Sequence, residues 1–216
     1  MKKYLFLILS ILFLACSDSN VSKPIDVDYN DGLEAYRKEN YEKAFSSWLK
    51  SCENGNNNAC DGIGFLYKDG WGVDKNIQNS MKYFEKACQN KHYESCKNLA
   101  NHYYFSLDKT EENILNAFKY YYLSCEKNIS DACFSVGIMF ANGEGVEENF
   151  FEAKKAYEKA CKDKNSGACN NLGVLYANGQ GVRQDKKAAK EYYGKACDYE
   201  SQLGCDNYKH LNELGI

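Results

Sequence analysis

The chain has 216 residues, with 27 lysines and arginines against 30 aspartates and glutamates, for a formal charge of −3. That mildly acidic balance argues against nucleic acid as a partner, because phosphate backbones are met by basic patches. The length suits one domain, and a single proline, Pro24, with no clear strand-like runs, makes the body all-helical.

Met1 to Ala15 reads MKKYLFLILSILFLA: two lysines, then a short run that is apolar except for Tyr4 and Ser10. A basic flank and a short apolar core make a secretory signal, too short for a spanning helix of roughly 20 residues. The run ends in Phe13-Leu14-Ala15-Cys16, and Phe13 is not the small residue that an ordinary signal-peptidase site wants. The segment resembles a bacterial lipoprotein signal, with Phe13 in place of the usual leucine. That resemblance implies cleavage before Cys16 and lipid on its sulfur, and Ser17 after it implies the outer membrane. Cysteine arithmetic points the same way, since Cys16 is the odd one of eleven and an exported thiol needs a reason to stay unpaired. Acyl chains would anchor the protein at about 0.8 kcal/mol per buried methylene. Loss of residues 1–15 moves the charge from −3 to −5. The polar stretch Ser17 to Val27 reads as a tether. The expected organisation is a signal over 1–15, a lipidated cysteine and tether over 16–28, and a folded body over 29–216.

The other ten cysteines form five pairs of identical internal spacing: Cys52 and Cys60, Cys88 and Cys96, Cys125 and Cys133, Cys161 and Cys169, Cys197 and Cys205. Successive pairs begin 36, 37, 36 and 36 residues apart, so one supersecondary unit is stacked several times. Around each pair the apolar residues recur at helical spacing. Three residues after the second cysteine come Ile63, Leu99, Val136, Leu172 and Tyr208; four after it come Gly64, Ala100, Gly137, Gly173 and Lys209; seven after it come Tyr67, Tyr103, Phe140, Tyr176 and Asn212. Large, small, large on one face lets a neighbouring helix approach closely. Lys209 and Asn212 break the pattern in the last unit, as expected where nothing stacks on it. A second helix precedes each first cysteine, with Ala44, Ser80, Ala117, Ala153 and Ala189 on the same face as Trp48, Phe84, Tyr121, Tyr157 and Tyr193. Eleven helices result, the last around Ser201 to Leu214.

Three units join their helices through Gly-x-Gly-Val: Gly70 to Val73, Gly143 to Val146 and Gly179 to Val182. A dinucleotide loop would need a third glycine and a preceding strand. A helix-ending turn with residues at positive φ fits better. The unit around Cys96 lacks this turn between Phe105 and Asn113 and is one residue longer.

On one continuous helix, cysteines eight residues apart would lie about 12 Å apart, beyond bridging distance. A tight turn such as Glu53-Asn54-Gly55-Asn56-Asn57 folds the chain back and lets each pair close, joining one unit to the next. Zinc competes as a reading of regular cysteines, but it wants closer spacing and four converging ligands, and His92, His102 and His210 are the only histidines. Disulfides are preferred, with no metal and no cofactor, and they imply an oxidising compartment.

The arrangement resembles the Sel1-like repeat family, and within it the Helicobacter cysteine-rich proteins. The match is carried by Ala168-Cys169-Asn170-Asn171-Leu172-Gly173-Val174-Leu175-Tyr176, then Asn178 to Val182, Ala188 and Tyr192 to Cys197, and it extends from about residue 30 to 214. The resemblance implies a right-handed α/α solenoid of TPR-like hairpins, clamped by the five disulfides. Solenoids bind extended partners on the concave side. The residue two after each second cysteine, Gly62, Asn98, Ser135, Asn171 or Asn207, falls off the core stripe and is expected to face that groove. Asn98, Asn171 and Asn207 would offer amides to a peptide, with Asn101 and His102 beside them and Asn142 and Asn178 further along. The expected partner is a peptide, a protein or a peptidoglycan fragment, met by a monomeric, membrane-anchored or secreted protein.

An enzyme is the alternative, because the cysteine-rich family is described as binding and slowly hydrolysing β-lactams. Ser-x-x-Lys occurs at Ser47/Lys50, Ser106/Lys109 and Ser124/Lys127, about as often as composition scatters it. Its companions Ser-Asp-Asn and Lys-Thr-Gly are missing, although Lys109-Thr110-Glu111 comes near one. The sequence defines no catalytic set.

Overall fold

A computed structural model of the protein describes residues 26–216; the signal, Cys16 and most of the tether lie outside the described residues. Those described form eleven helices and no strand: α1 (Val27–Arg37), α2 (Tyr41–Glu53), α3 (Asn57–Asp69), α4 (Ile77–Gln89), α5 (Tyr93–Tyr104), α6 (Glu111–Cys125), α7 (Ser130–Asn142), α8 (Phe150–Lys162), α9 (Ser166–Asn178), α10 (Lys186–Asp198) and α11 (Gln202–Glu213). Most start at a short polar side chain that accepts a backbone N–H of the first turn, as Asn40, Asn76, Thr110, Asn165 and Ser201 do.

The first helix begins inside the stretch read as tether. Asp26 caps it through the Tyr29 N–H at 2.9 Å, and its carboxylate also accepts from Ser51 Oγ (2.6 Å) and Asn56 Nδ2 (2.8 Å). Burial pushes this carboxyl upward, but the three hydrogen bonds outweigh it and hold its pKa below the usual value. The folded body therefore includes Asp26, Val27 and Asp28.

Each helix packs on its chain neighbours, which is the contact pattern of an α/α solenoid. The odd helices α7, α9 and α11 also touch one another across units. The odd row is therefore the inner side of the curve.

Small residues on the odd helices receive rings from the even ones. A Cβ added at Gly137 would fall 2.4 Å from the Tyr157 ring, at Gly173 2.5 Å from Tyr193, and at Gly64 2.6 Å from Phe84. Trp48, Phe84, Tyr121, Tyr157 and Tyr193, one per unit, are all buried. Further out, Tyr67 stacks on Tyr83, Tyr103 on Tyr120 and Tyr176 on Tyr192, at centroid separations of 5.8, 5.9 and 5.3 Å. Half of the 18 tyrosines thus serve interhelical packing.

All five disulfides are formed. Cys52 is bonded to Cys60, Cys88 to Cys96, Cys125 to Cys133, Cys161 to Cys169 and Cys197 to Cys205, at Cα–Cα distances of 4.8, 4.7, 4.5, 4.8 and 4.5 Å. Each joins the end of an even helix to the start of the next odd one. The first four bridges are buried, Cys60 as fully as Cys52. Cys197 and Cys205 are only half-buried, because no further unit covers the last bridge. The turn between each pair has one residue at positive φ: Gly55, Lys91, Asn128, Lys164 or Glu200. The Gly-x-Gly-Val turns also behave as helix stops, with Gly70, Gly143 and Gly179 left-handed at the helix ends.

Candidate functional site

The five positions expected in the groove all lie on odd helices, half-buried. Their polar ends are partly spent on ties within the protein. Asn98 Nδ2 donates to Asp61 Oδ1 of the previous unit at 3.1 Å, and Asn207 Nδ2 donates to Asn170 Oδ1 at 2.9 Å. The Asn171 side chain hydrogen-bonds to the buried Tyr157, whose hydroxyl burial pushes up to about 12. Ser135 Oγ donates back to the Asp131 carbonyl. Asn142 and Asn178 sit at helix ends and donate to Glu144 and Gln180, the middle residues of the following turns. Asn98, Asn101 and His102 come together in one cavity; Asn171 and Asn207 are two and three odd helices farther along and do not reach it.

That cavity, about 600 Å³, is enclosed by α3, α4, α5 and the α5–α6 connection. Its existence follows from the deviant unit. In three other units the second glycine of the turn seats on an even helix near its start. A Cβ at Gly72 would lie 2.4 Å from Tyr41 C, one at Gly145 3.0 Å from Ile114 O, and one at Gly181 2.5 Å from Phe150 C. The equivalent landing place on α4 is Ile77, and the chain from Phe105 to Thr110 has no glycine to seat there. Ile77 and Gln78 line the opening instead, and Phe105 and Leu107 stand at its mouth, 72% and 105% exposed.

The same unit departs from the repeat at two coupled core positions. Elsewhere a buried alanine on the even helix is matched by a buried aliphatic residue on the next odd one: Ala44 and Leu66, Ala117 and Met139, Ala153 and Leu175, Ala189 and Leu211. Here the pair is Ser80 and His102, and Ser80 Oγ lies 3.0 Å from His102 Nε2. The hydroxyl satisfies a ring nitrogen that an alanine would leave bare. Sequence inspection can find this pair, since two aligned departures in one unit are a signal; it singled out His102 but read Ser80 only as a small residue.

Burial, and then the nearby Lys68 ammonium, push the His102 pKa below its ordinary value, with Asp69 pulling weakly the other way. A lowered histidine pKa stabilises the fold above the unfolded value of about 6.5, and that contribution is lost as pH falls toward the folded value. His102→Leu should therefore gain stability over the parent in acid, the gap between their urea midpoints widening from about pH 8 to pH 5. A gap independent of pH would refute the neutral, desolvated imidazole.

Neither serine–histidine contact is built for acyl transfer. Ser80 is fully buried, so its hydroxyl cannot meet an incoming carbonyl. Ser95, equally buried, donates to Asp61 Oδ1 at 2.5 Å and contacts His92 Nδ1 at 2.7 Å. With its one proton on the carboxylate, Ser95 can only accept from His92, which then is no base toward it. Two of the three Ser-x-x-Lys candidates fare likewise. Ser124 bonds backbone carbonyls while Lys127 lies over the Tyr93 ring, and Ser106 bonds the Asp108 carbonyl while Lys109 lies over Tyr104.

The comparisons with known proteins agree with this architecture. The Sel1 repeat profile matches residues 29–56, 58–92, 94–129, 130–165 and 166–198. The chain belongs to the Sel1 repeat family. Among solved structures, a Sel1 repeat protein from Oxalobacter formigenes is 26% identical with a TM-score of 0.76, over 82% of this chain and 72% of that one. A protective antigen of uropathogenic Escherichia coli with an SLR fold is 21% identical, with a TM-score of 0.80 over 87% of this chain. This chain spans only 41% of that antigen. Cysteine-rich protein B of Helicobacter pylori is 27% identical over 61% of this chain and 94% of that one, with a TM-score of 0.48. No curated protein matches. Sel1 repeats are in general protein-interaction modules, and the five disulfides of this one belong to an oxidising compartment outside the cytosol.

Proposed function

We propose that this Sel1 repeat protein captures a peptide, a protein segment or a cell-wall fragment along the inner face of its odd helices, at the bacterial envelope, as a monomer held by lipid on Cys16. The observation that carries the reading is the break in the repeat. One unit gives up a sealed turn and an aliphatic core position, and opens a ligand-sized cavity against the odd helices α3 and α5. A pure scaffold has no use for that departure, which forfeits packing. The surface around it is suited to an extended partner, with half-buried amides and hydroxyls on successive odd helices.

The test is photo-crosslinking in intact cells from single positions. A crosslinker at Ser135 or Phe105 should give one discrete adduct, while the same group at Lys82 or Lys119 on even helices should give none. Adducts of equal yield from both rows would sink the inner-face assignment. Cys16→Ser should move the protein out of the membrane fraction, and an unchanged distribution would remove the lipid anchor.

A further inference from the structure

We propose that the cavity between α4, α5 and the α5–α6 connection is a specific site for an apolar carboxylate, an aromatic or branched aliphatic body whose carboxylate meets Lys68, Asn101 and His102. The proposal rests on the inner-face reading and names the ligand of one place within it. Three observations support it.

The first is where the polar groups have been placed. At the position of Asn101 the other units carry Phe65, Ile138, Val174 and His210, and at that of His102 they carry Leu66, Met139, Leu175 and Leu211. With Ser80 in place of alanine, one unit holds three polar side chains where the repeat favours apolar ones. All three bear on a single cavity: Asn101 and His102 line it, and Ser80 holds the imidazole. A half-buried polar group costs free energy unless it has a partner, and two of these have capacity to spare. Asn101 Oδ1 is taken by the Tyr121 hydroxyl at 2.5 Å, which leaves its amide N–H groups as donors. His102 Nε2 faces Ser80, and with Ser80 donating, Nδ1 keeps the ring proton. Among the described residues neither that nitrogen nor the Asn101 amide nitrogen has a hydrogen-bond partner.

The second is charge. Lys68 lines the cavity, its amine 4.9 Å from the Phe65 ring centre and 3.6 Å from Asp69 in an exposed pair that holds it weakly. One ammonium with two neutral donors suits a single negative charge. A phosphate dianion would call for more cations than this one ammonium. The wall from α4 (Ile77, Gln78, Met81 and Phe84) carries no charge. Asp108, on the α5–α6 connection, is the acid on the opposite side, so the carboxylate belongs at the α3 end.

The third is shape. About 600 Å³ is the size of a small-molecule site rather than of a helix groove. Its body is apolar, and Phe105 and Leu107 stand exposed at the mouth, where a bound ring would cover them.

A carboxylate placed beside His102 favours the imidazolium, so binding takes up a proton and tightens as pH falls below neutrality. Lys68 opposes that uptake and Asp69 assists it.

The experiment titrates oxidised full-length protein with N-acetyl-phenylalanine, its carboxamide, acetate and a tripeptide ending in phenylalanine, reading the three histidine ring signals. The acid should saturate the protein and move His102 but not His92 or His210, and should bind about tenfold tighter than the carboxamide. Acetate, which has no apolar body, should not saturate it. Ser80→Ala with His102→Leu writes the alanine–leucine pair of the other units and should fold fully while losing the acid. Lys68→Gln should bind acid and carboxamide alike. Equal binding of acid and carboxamide by the parent, retained binding in the double variant, or no saturation by the acid would each overturn the site. A tripeptide that binds as tightly as the acid assigns a peptide C-terminus; one that fails while the acid binds assigns a free acylated amino acid. Crosslinked partner without acid binding rejects this site but leaves the inner face standing, and acid binding without crosslinks does the reverse.

Discussion

Reduction of the five disulfides is expected to unfold the protein at about 37 °C in the absence of denaturant. Each bridge closes a short loop, eight residues in sequence separation, and contributes roughly 2–3 kcal/mol by constraining the unfolded chain. Over five bridges that is about 10–15 kcal/mol, comparable to the roughly 5–15 kcal/mol by which a domain is stable at all. A solenoid cannot recover the loss elsewhere, because each unit touches only its neighbours. The bridges also sit where the units meet, so their loss weakens the coupling that makes the stack unfold as one. Circular dichroism with and without reductant reads the outcome. A reduced protein with full helical signal and a sharp melt would show that packing alone holds the units. Removing only the central bridge, by Cys125→Ala with Cys133→Ala, should cost about 2–3 kcal/mol and broaden the urea transition, as the two halves begin to unfold separately.

The repeat, the helix count, the disulfide pairing and the Gly-x-Gly-Val stops were legible because each depends on residue types whose geometry is restrictive. A cysteine bridge, a left-handed glycine and a small residue under a ring leave few substitutes. The remaining features depend on groups far apart in sequence or on conformations that many residues tolerate. Lys91, Lys164 and Glu200 adopt the left-handed turn conformation that only Gly55 announces. Asp26 could not be read as a cap while its partners Ser51 and Asn56 lay one unit away. Asn98, Asn171 and Asn207 all lie on odd helices, but the Asp61 and Asn170 side chains that hold Asn98 and Asn207 are supplied by the previous unit. Spacing within a unit cannot reveal a tie between units. The cavity was half visible, as a missing turn, and acquires meaning only when Ser80 and His102 are seen in contact.

Glycine substitutions separate the two demands placed on the turns. Gly55 has a φ of +91° and open space around its missing Cβ, so Gly55→Ala should cost only the left-handed strain, about 1 kcal/mol. Gly181 has a φ of +65°, and its Cβ would fall 2.5 Å from Phe150 C, 2.7 Å from its oxygen and 2.8 Å from Phe151 N. Those atoms are the backbone at the start of α8, which cannot rotate aside as a side chain can. The strain then adds to overpacking of 1–3 kcal/mol or so, and Gly181→Ala should lose about 3 kcal/mol in urea titration. Gly72, at 2.4 Å from Tyr41 C, should behave like Gly181, and Gly145, with 3.0 Å to Ile114 O, should fall between these and Gly55. Equal costs at Gly55 and Gly181 would mean that the turn does not depend on close seating. If the order holds, that seating is what closes each unit. A variant that lifts the turn from α8 would then imitate what Phe105 to Thr110 does at α4, where the unsealed turn leaves the cavity open beside His102.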